Sequence, residues 1–302
     1  RLVDDDKVTL KVSGLKKKDA VYLVGSVSDT YTGSSWEKNQ SVYLEGNNDY
    51  LLDFMELYYA LARLEPEQVR QNRYLEWRSI RLQYNTIKTK TFFYPGKMSA
   101  YTFNSAYDKI DTQMAQIKFK KAVGKDTRYQ AFYYEMNLTD EAFIQLLKDA
   151  DSFSYSNPVE LNSSSRAYLI NTTLRQSQLT SQFEYDYYDL LAARSELIKA
   201  GFTNLPDSLP SRVYDLAYEI TKGYNSSYEK LKAIELYLLS NYSYINRSPN
   251  VPENMDYVDY FLFEGRSGYC TSFATAMAVL GRCIGIPTRY VEGYLAKFED
   301  KD

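Results

Sequence analysis

The hydrophobic pattern near the N-terminus changes period twice. Residues 7–46 alternate apolar and polar positions and are rich in β-branched and aromatic side chains, which predicts strands. From Tyr50 to Tyr84 apolar residues recur at three and four, which predicts one helix and a second helix starting at Pro66. Residues 87–137 return to strand character. The first of these helices carries Leu51, Phe54, Leu57, Tyr58 and Leu61, and the second carries Val69, Tyr74 and Trp77.

Helical patterns dominate the rest of the chain. Thr139 is the predicted N-cap of one helix, and another helix near 178–200 is predicted to end at Gly201. Between them, residues 151–177 are polar and predict loops. The Pro-rich stretch 204–212 is the best internal boundary by composition. We therefore predict an α+β protein with two units, a mixed strand and helix region (1–204) and a C-terminal region (205–302).

The C-terminal region predicts a series of helices and a final strand. A helix with Val213, Leu216, Ala217 and Ile220 on one face should stop at Gly223. Ser226 and Glu229 have the spacing of a capping box for the next helix. After Cys270 the apolar positions Phe273, Ala274, Met277, Leu280 and Ile284 fall on one stripe, which we expect to bury against a sheet. Gly285 and Pro287 then end that helix before a predicted strand over residues 287–297.

Composition excludes some function classes. The net charge of −3 gives no overall basic field for nucleic acid, so we expect no nucleic-acid partner. No apolar run approaches the ~20 residues that a membrane helix needs. The 31 tyrosines suit carbohydrate- or peptide-facing clefts, but a β-rich surface with half-buried rings is the interpretation we favour.

Cysteine is the residue type that suggests chemistry. The chain has two cysteines and no histidine, and no C-x-x-C, so we expect no zinc site and no cofactor. On one helix Cys270 and Cys283 would lie about 19 Å apart, too far for a disulfide. Cys270 falls in the first turn of its helix, where unpaired amides and the helix dipole favour a thiolate and can donate to an oxyanion. A small buried hydrophobe is the alternative for Cys270, and packing is our expectation for Cys283.

The stretch GYCTSFATAMAVLGRCIGIPTRYVEGY resembles the first half of the transglutaminase-like core, a papain-like cysteine family. The matching positions are Gly268, Cys270, Phe273, Ala274, Arg282, Gly285, Ile286, Pro287, Arg289, Val291, Gly293 and Tyr294. The helices before it, and the segment VYLVGSVSDTYTGSSWEK near the N-terminus, are similar to parts of bacterial membrane-bound members. The resemblance implies a papain-like core, an extracytoplasmic location and a membrane-anchored parent.

The same resemblance implies acyl transfer on protein or peptide amides, through a thioester on Cys270, leading to cross-linking or to proteolysis. Family members carry a His and then an Asp downstream, and neither can be assigned here. We expect either that the 302 residues end inside the core, which leaves them inactive, or that the core is degenerate. Tyr242 or Tyr244 would be a hydroxyl donor near the oxyanion, or simply core packing.

Two hypotheses therefore stand. The first is a cysteine acyltransferase or peptidase that uses Cys270. The second is a non-catalytic module that binds a cell-envelope partner or acts as a scaffold, with an inert core. The sequence does not indicate the oligomeric state or the particular substrate.

Overall fold

The structure, a computed structural model, describes residues 9–38, 53, 56–57, 74–103, 110–111, 116–152, 188–247 and 250–298. The described strands are β1 (Leu10–Ser13), β2 (Ala20–Ser28), β3 (Thr30–Tyr31), β4 (Trp36–Glu37), β5 (Leu75–Tyr84), β6 (Thr89–Thr91), β7 (Tyr94–Pro95), β8 (Met98–Phe103), β9 (Ile110–Asp111), β10 (Lys118–Val123), β11 (Arg128–Met136), β12 (Ser243–Tyr244), β13 (Ser267–Gly268) and β14 (Tyr290–Lys297). The described helices are α1 (Glu141–Asp149), α2 (Tyr188–Gly201), α3 (Ser211–Thr221), α4 (Ser227–Asn241), α5 (Tyr257–Asp259) and α6 (Cys270–Cys283), and a π-helical turn (Tyr260–Gly265) continues α5.

The N-terminal strands form an aromatic-rich β layer. A four-stranded antiparallel sheet has the order β1-β5-β11-β8, and a second sheet has the order β6-β10-β9. Large aromatic side chains fill the core that these sheets share with β2, and the rings of Phe92 and Tyr129 stack at 4.3 Å. The α+β class predicted from the sequence is confirmed.

The helix predicted to reach Tyr84 is wrong over its last ten residues, because these residues form β5. Ile80, Leu82 and Tyr84 are buried at every second position, as a strand in a half-buried sheet requires. Pairing with β1 on one side and β11 on the other overrides the apparent helical spacing. Most of 50–73 lies outside the described residues, although Asp53, Glu56 and Leu57 are helical.

Several predicted helix ends can be compared with the structure. The capping box of Ser226 and Glu229 is present at the start of α4, and Gly223 follows α3 with a φ of +91°. The N-cap of α1 is Asp140 and not Thr139, because the Asp140 carboxylate accepts the amide of Phe143 at 2.9 Å. Gly201 is the last helical residue of α2, so it does not lie beyond the helix end as predicted. Nearly all of the predicted loop 151–177, and the first part of the helix predicted near 178, lie outside the described residues.

The C-terminal helices enclose α6, which packs against α3, α4 and α5. Its most buried apolar residues are Ala276, Val279 and Leu280, and Phe273 and Met277 are only partly buried. The expected apolar stripe facing a sheet is therefore wrong: the helix is covered on several sides, mainly by other helices. Small residues such as Ala276 and Gly281 allow that close packing, since a Cβ at Gly281 would lie 3.4 Å from Leu231 of α4 and 3.0 Å from Thr288.

The last strand joins the two halves of the chain. β14 runs antiparallel to β2 along its whole length, from Tyr290 opposite Ser28 to Lys297 opposite Ala20, in a sheet of order β14-β2-β7. β14 is therefore an edge strand, with one edge paired to β2 and no strand on its other edge among the described residues. The boundary between 204 and 205 stays a prediction.

A bulge in the β2–β14 ladder explains one glycine of the sequence motif. The register shifts between Glu292 and Gly293, and a Cβ placed on Gly293 would lie 1.7 Å from the carbonyl oxygen of Leu23. No side chain fits at that distance. Gly293 is therefore required by the backbone approach of β2, a strand that begins more than two hundred residues earlier in the chain.

Candidate active site

Cys270 is the first residue of α6 and its side chain is exposed. The N-cap, Tyr269, has extended backbone angles (φ −111°, ψ −170°) and makes no side-chain capping bond, so the chain turns sharply into the helix. The initial amides of a helix have no intrahelical acceptor and carry the positive end of its dipole. The predicted position of Cys270 is confirmed, and its catalytic role stays a prediction.

A tight turn sets the approach to Cys270. The strands β12 and β13 pair in parallel, which places Tyr244 beside Gly268. A Cβ on Gly268 would lie 2.4 Å from Ser272 Oγ, so only glycine lets the chain pass the first turn of α6. The Ser272 hydroxyl is itself hydrogen-bonded to the Tyr257 hydroxyl at 2.7 Å. These contacts fix the direction in which α6 begins.

The two tyrosines suggested as hydroxyl donors have different surroundings. Tyr242 is buried, and its hydroxyl donates to the carbonyl oxygen of Leu262 at 3.1 Å. Its ring packs on Phe261, and burial raises its pKa, so Tyr242 is a core residue. Tyr244 is exposed and lies next to Gly268, so it is the better placed of the two tyrosines to offer a hydroxyl near Cys270.

Two stacked aromatic side chains, Trp36 from the N-terminal region and Tyr290 from β14, lie along one face of α6. Trp36 Nε1 donates to Thr275 Oγ1 at 3.1 Å, and the Trp36 ring stacks on Tyr290 at 5.4 Å with 7° between the ring planes. The side chain of Tyr290 also interacts with that of Thr271, and Cys270 lies within electrostatic range of Tyr290. Burial raises the pKa of Tyr290 to about 12, so its hydroxyl stays protonated at neutral pH.

The other end of α6 is held by Arg282. Its guanidinium is 3% exposed and donates to the carbonyl oxygens of Asn204 at 2.7 Å and Asp29 at 2.6 Å. It also donates to the carbonyl oxygen and the hydroxyl of Thr288, at 2.6 Å and 3.1 Å. The guanidinium lies 5.0 Å from the centre of the Trp36 ring. One side chain therefore joins α6 to the start of β14, the end of β2 and the chain between α2 and α3.

The turn between β3 and β4 is attached to the helices through Tyr31. The Tyr31 hydroxyl donates to Asp256 Oδ1 at 3.0 Å and accepts the amide of Val258 at 3.2 Å. Asp256 is also the N-cap of α5, but its Oδ2 is buried and has no hydrogen-bond partner among the described residues. Burial accordingly raises the pKa of Asp256. The hairpin of residues 29–37 is thus part of the same core as α3, α4 and α6.

Cys283 contrasts with Cys270. It is partly buried at the far end of α6, next to a cavity of about 390 Å³ lined by α3 and the start of α4. Burial raises the pKa of the Cys283 thiol to about 12, so it stays protonated at neutral pH. The packing role predicted for Cys283 is confirmed.

Sequence patterns did not identify Trp36, Tyr290, Glu292 or Arg282 as parts of one arrangement. Trp36 and Thr275 are 239 positions apart, and no local periodicity can bring such residues together. The nearest sequence clue was the segment that contains Trp36, which is similar to part of bacterial family members. Within the described part of the chain, no group of three or more Cys, Asp or Glu side chains is placed to hold a metal ion.

Comparisons with known proteins agree with this arrangement. The family model described as the transglutaminase-like superfamily matches residues 214–302. YebA of Bacillus subtilis, an uncharacterized protein, is 33% identical over 190 residues, which cover 62% of this chain and 24% of YebA. A protein-glutamine gamma-glutamyltransferase of Pseudomonas aeruginosa is 56% identical over 39 residues, which cover 13% of this chain and 6% of that protein. The chain thus spans about a quarter or less of the length of these curated relatives.

Solved structures show the same fold. The periplasmic domain of TgpA from Pseudomonas aeruginosa superposes with a TM-score of 0.55 at 14% identity, over 96% of this chain and 75% of that domain. The same domain bound to ethylmercury gives a TM-score of 0.54 at 14% identity, over 96% of this chain and 77% of that domain. The fold and the cysteine turn therefore define a transglutaminase-like domain. Residues 214–302 match that superfamily, and the chain is similar to bacterial proteins that carry such a domain.

The structural neighbour is periplasmic, as its description states. No helix among the described residues is long and apolar enough to cross a bilayer.

Proposed function

We propose that this chain carries the nucleophile of a cysteine acyltransferase or peptidase that acts on protein or peptide amides. The observation that carries the proposal is the position of Cys270, an exposed thiol at the first residue of α6 within the family match. Cys283, on the same helix, is packed and protonated. The two cysteines of the chain are thus separated into one accessible group and one shielded group.

The chemistry follows from the turn before α6. The Cys270 thiolate attacks the amide carbonyl carbon, and the oxygen of the tetrahedral intermediate takes the negative charge. The initial amides of α6 are the natural donors to that oxygen. When the intermediate collapses, the carbon–nitrogen bond breaks, the amine leaves with a proton from a general acid, and a thioester remains on Cys270. An amine or water then attacks the thioester, which gives a cross-link or a hydrolysis product.

The reaction also needs a general base, and the 302 residues contain no histidine that could act as one. We propose that the 302 residues alone turn over little or no substrate. We place the chain outside the cytoplasm, on a membrane-anchored parent, with support from the periplasmic neighbour and from the resemblance. No nucleic acid takes part in this proposal.

The absence of histidine favours a second candidate, a non-catalytic module that binds a cell-envelope partner. In that case Cys270 would be a surface thiol with no special affinity for amides. The two functions differ in the reactivity expected of Cys270. An enzyme should react faster with a reagent that resembles a peptide amide than with a simple alkylating agent of the same intrinsic reactivity, and a binding module should not.

The experiment uses a peptide amide that carries a thiol-reactive group, with a matched reagent that lacks the peptide. Cys270 should react preferentially with the peptide reagent, as read by the mass of its tryptic peptide. Cys283→Ala should react like the parent, and Cys270→Ala should lose the labelling. Equal rates with both reagents, or labelling at Cys283 instead, would contradict the enzymatic proposal and support the binding module.

A further inference from the structure

The first turn of α6 faces an acidic side chain that the acyl-transfer steps do not use. Thr271 and Thr275 are four residues apart and therefore lie on the same face of the helix. Trp36 donates a hydrogen bond to Thr275 on this face, and the Tyr290 ring stacks parallel to the Trp36 ring. The Tyr290 side chain also interacts with that of Thr271, the residue after Cys270, so Tyr290 reaches this end of the face.

Tyr290 holds the carboxylate of Glu292 by a hydrogen bond. Its hydroxyl donates to Glu292 Oε1 at 3.3 Å. The two residues are two positions apart on β14, so their side chains project from the same side of the sheet. Glu292 and Cys270 are both exposed, so both side chains are open to molecules in the solvent.

Glu292 forms no direct ion pair within the described residues. Lys38 is a cation within electrostatic range of Glu292. The Lys38 amine donates to Gln116 Oε1 at 2.6 Å, and it is also in the range of Asp29. It is therefore shared among several groups. Glu292 is thus a carboxylate hydrogen-bonded to Tyr290, and the Tyr290 side chain also interacts with that of Thr271, the residue after Cys270.

We propose that Glu292, positioned by Tyr290, is a specificity-determining residue that admits cationic groups to Cys270 and disfavours anionic ones. The inference rests on the proposed function, since Cys270 is the reacting group. The substrate segment next to the attacked amide, or the group that resolves the thioester, would then be neutral or positively charged. One fixed charge several ångströms from a reaction centre changes the rates of oppositely charged reagents in opposite directions, and salt screens the effect.

Three methanethiosulfonate reagents of similar size test the proposal: one with a trimethylammonium group, one neutral and one with a sulfonate. They are applied to the full chain with Cys283→Ala, so that Cys270 is the reacting thiol. We expect the cationic reagent to react faster than the anionic one. Glu292→Gln should lower the cationic-to-anionic rate ratio by about threefold or more at low salt, and high salt should lower the parent ratio in the same way.

Two further variants make the test specific. Tyr290→Phe keeps the ring stacked on Trp36 but frees the Glu292 carboxylate, so it should lower the ratio in the same direction. Glu219→Gln removes the same charge at the other end of α6, near the cavity beside Cys283, and should leave the ratio unchanged.

The neutral reagent separates the two possible failures. If it modifies Cys270 readily while Glu292→Gln leaves the ratio unchanged, the role of Glu292 is wrong and the proposed function stands. If it does not modify Cys270, the thiol is not accessible and both proposals fail. A parent ratio at or below one also overturns the role of Glu292.

Discussion

The guanidinium of Arg282 and the carbonyl oxygen of Asp29 lie 2.6 Å apart, although 253 positions separate them in the chain. Asp29 ends the strand β2 that pairs with β14, and Arg282 is in the last turn of the cysteine helix. The helix that carries Cys270 is therefore fixed at its far end by the N-terminal region. This contact accounts for the arginine in the sequence motif.

We predict that Arg282→Met destabilises the protein by about 2–4 kcal/mol, because several buried carbonyl oxygens lose a charged donor. Arg282→Lys should recover only part of the loss, since an ammonium cannot reach acceptors on opposite sides as a planar guanidinium does. Urea unfolding followed by circular dichroism measures both changes. Arg128→Lys, at an exposed and long ion pair, is the control and should change stability by less than about 0.5 kcal/mol. A small effect of Arg282→Met would show that the bonds contribute little to stability.

We predict that Gly293→Ala disrupts the β2–β14 pairing, because the new methyl group would lie 1.7 Å from the Leu23 carbonyl oxygen. The expected cost is about 3 kcal/mol or more, as strong overpacking gives. Gly96→Ala is the matched control, since a Cβ at Gly96 meets no atom within 4 Å. Thermal unfolding of the two variants compares them directly. Equal melting temperatures would mean that the close approach at Gly293 is absent in solution.

We predict that Ser226→Ala costs about 1 kcal/mol, because it removes the oxygen that accepts the Glu229 amide at 3.2 Å. Ser226→Asp should restore the cap, since a carboxylate also accepts that bond and suits a helix N-terminus. Urea titration measures the free energy of unfolding of the parent and of the two variants. If Ser226→Ala matches the parent, the capping box does not stabilise α4.

Stability should fall in alkaline solution, because buried tyrosines and a buried cysteine resist ionisation in the folded state. Burial raises the pKa of Tyr84 and Tyr133 to about 12 from 10.0, and that of Cys283 to about 12 from 9.0. A raised folded-state pKa favours the protonated folded form. Its stabilising contribution is complete below the unfolded pKa and is lost as the pH rises toward the folded value.

The urea midpoint should therefore begin to fall near pH 9 and fall more steeply from pH 10 to 12. Cys283→Ala removes the group with the lowest unfolded pKa, so it should reduce the fall between pH 9 and 10 and leave the steeper part in place. Tyrosine absorbance at 295 nm should show a delayed set of ionisations in the folded protein. A midpoint that is constant up to pH 11 would contradict this prediction.

Local sequence patterns predicted the C-terminal half more successfully than the N-terminal half. The capping box of Ser226, the stop at Gly285 and the strand after Pro287 depend on neighbours within a few residues, and the sequence contains those neighbours. The segment ending at Tyr84 failed because its strand identity comes from partners about fifty residues or more away. Its apolar residues satisfied both periods over that short length.

The candidate site divides in the same way. Cys270 was identified from a helix start and a motif, both of which are local. Trp36 and Glu292 were not, because the first reaches α6 from the distant N-terminal hairpin and the second acquires its place through Tyr290. Burial on α6 was also misjudged, since a helix covered by several neighbours leaves no single apolar stripe.

The ladder between β2 and β14 has a practical consequence for anyone who transplants this cysteine segment into another scaffold. The family match alone, residues 214–302, would arrive without the strand that forms its hydrogen bonds and without the indole against Thr275. The smallest portable unit must include residues 20–37 as a second, non-contiguous piece. A circular permutation or a tether that joins those two pieces would be the natural way to build it.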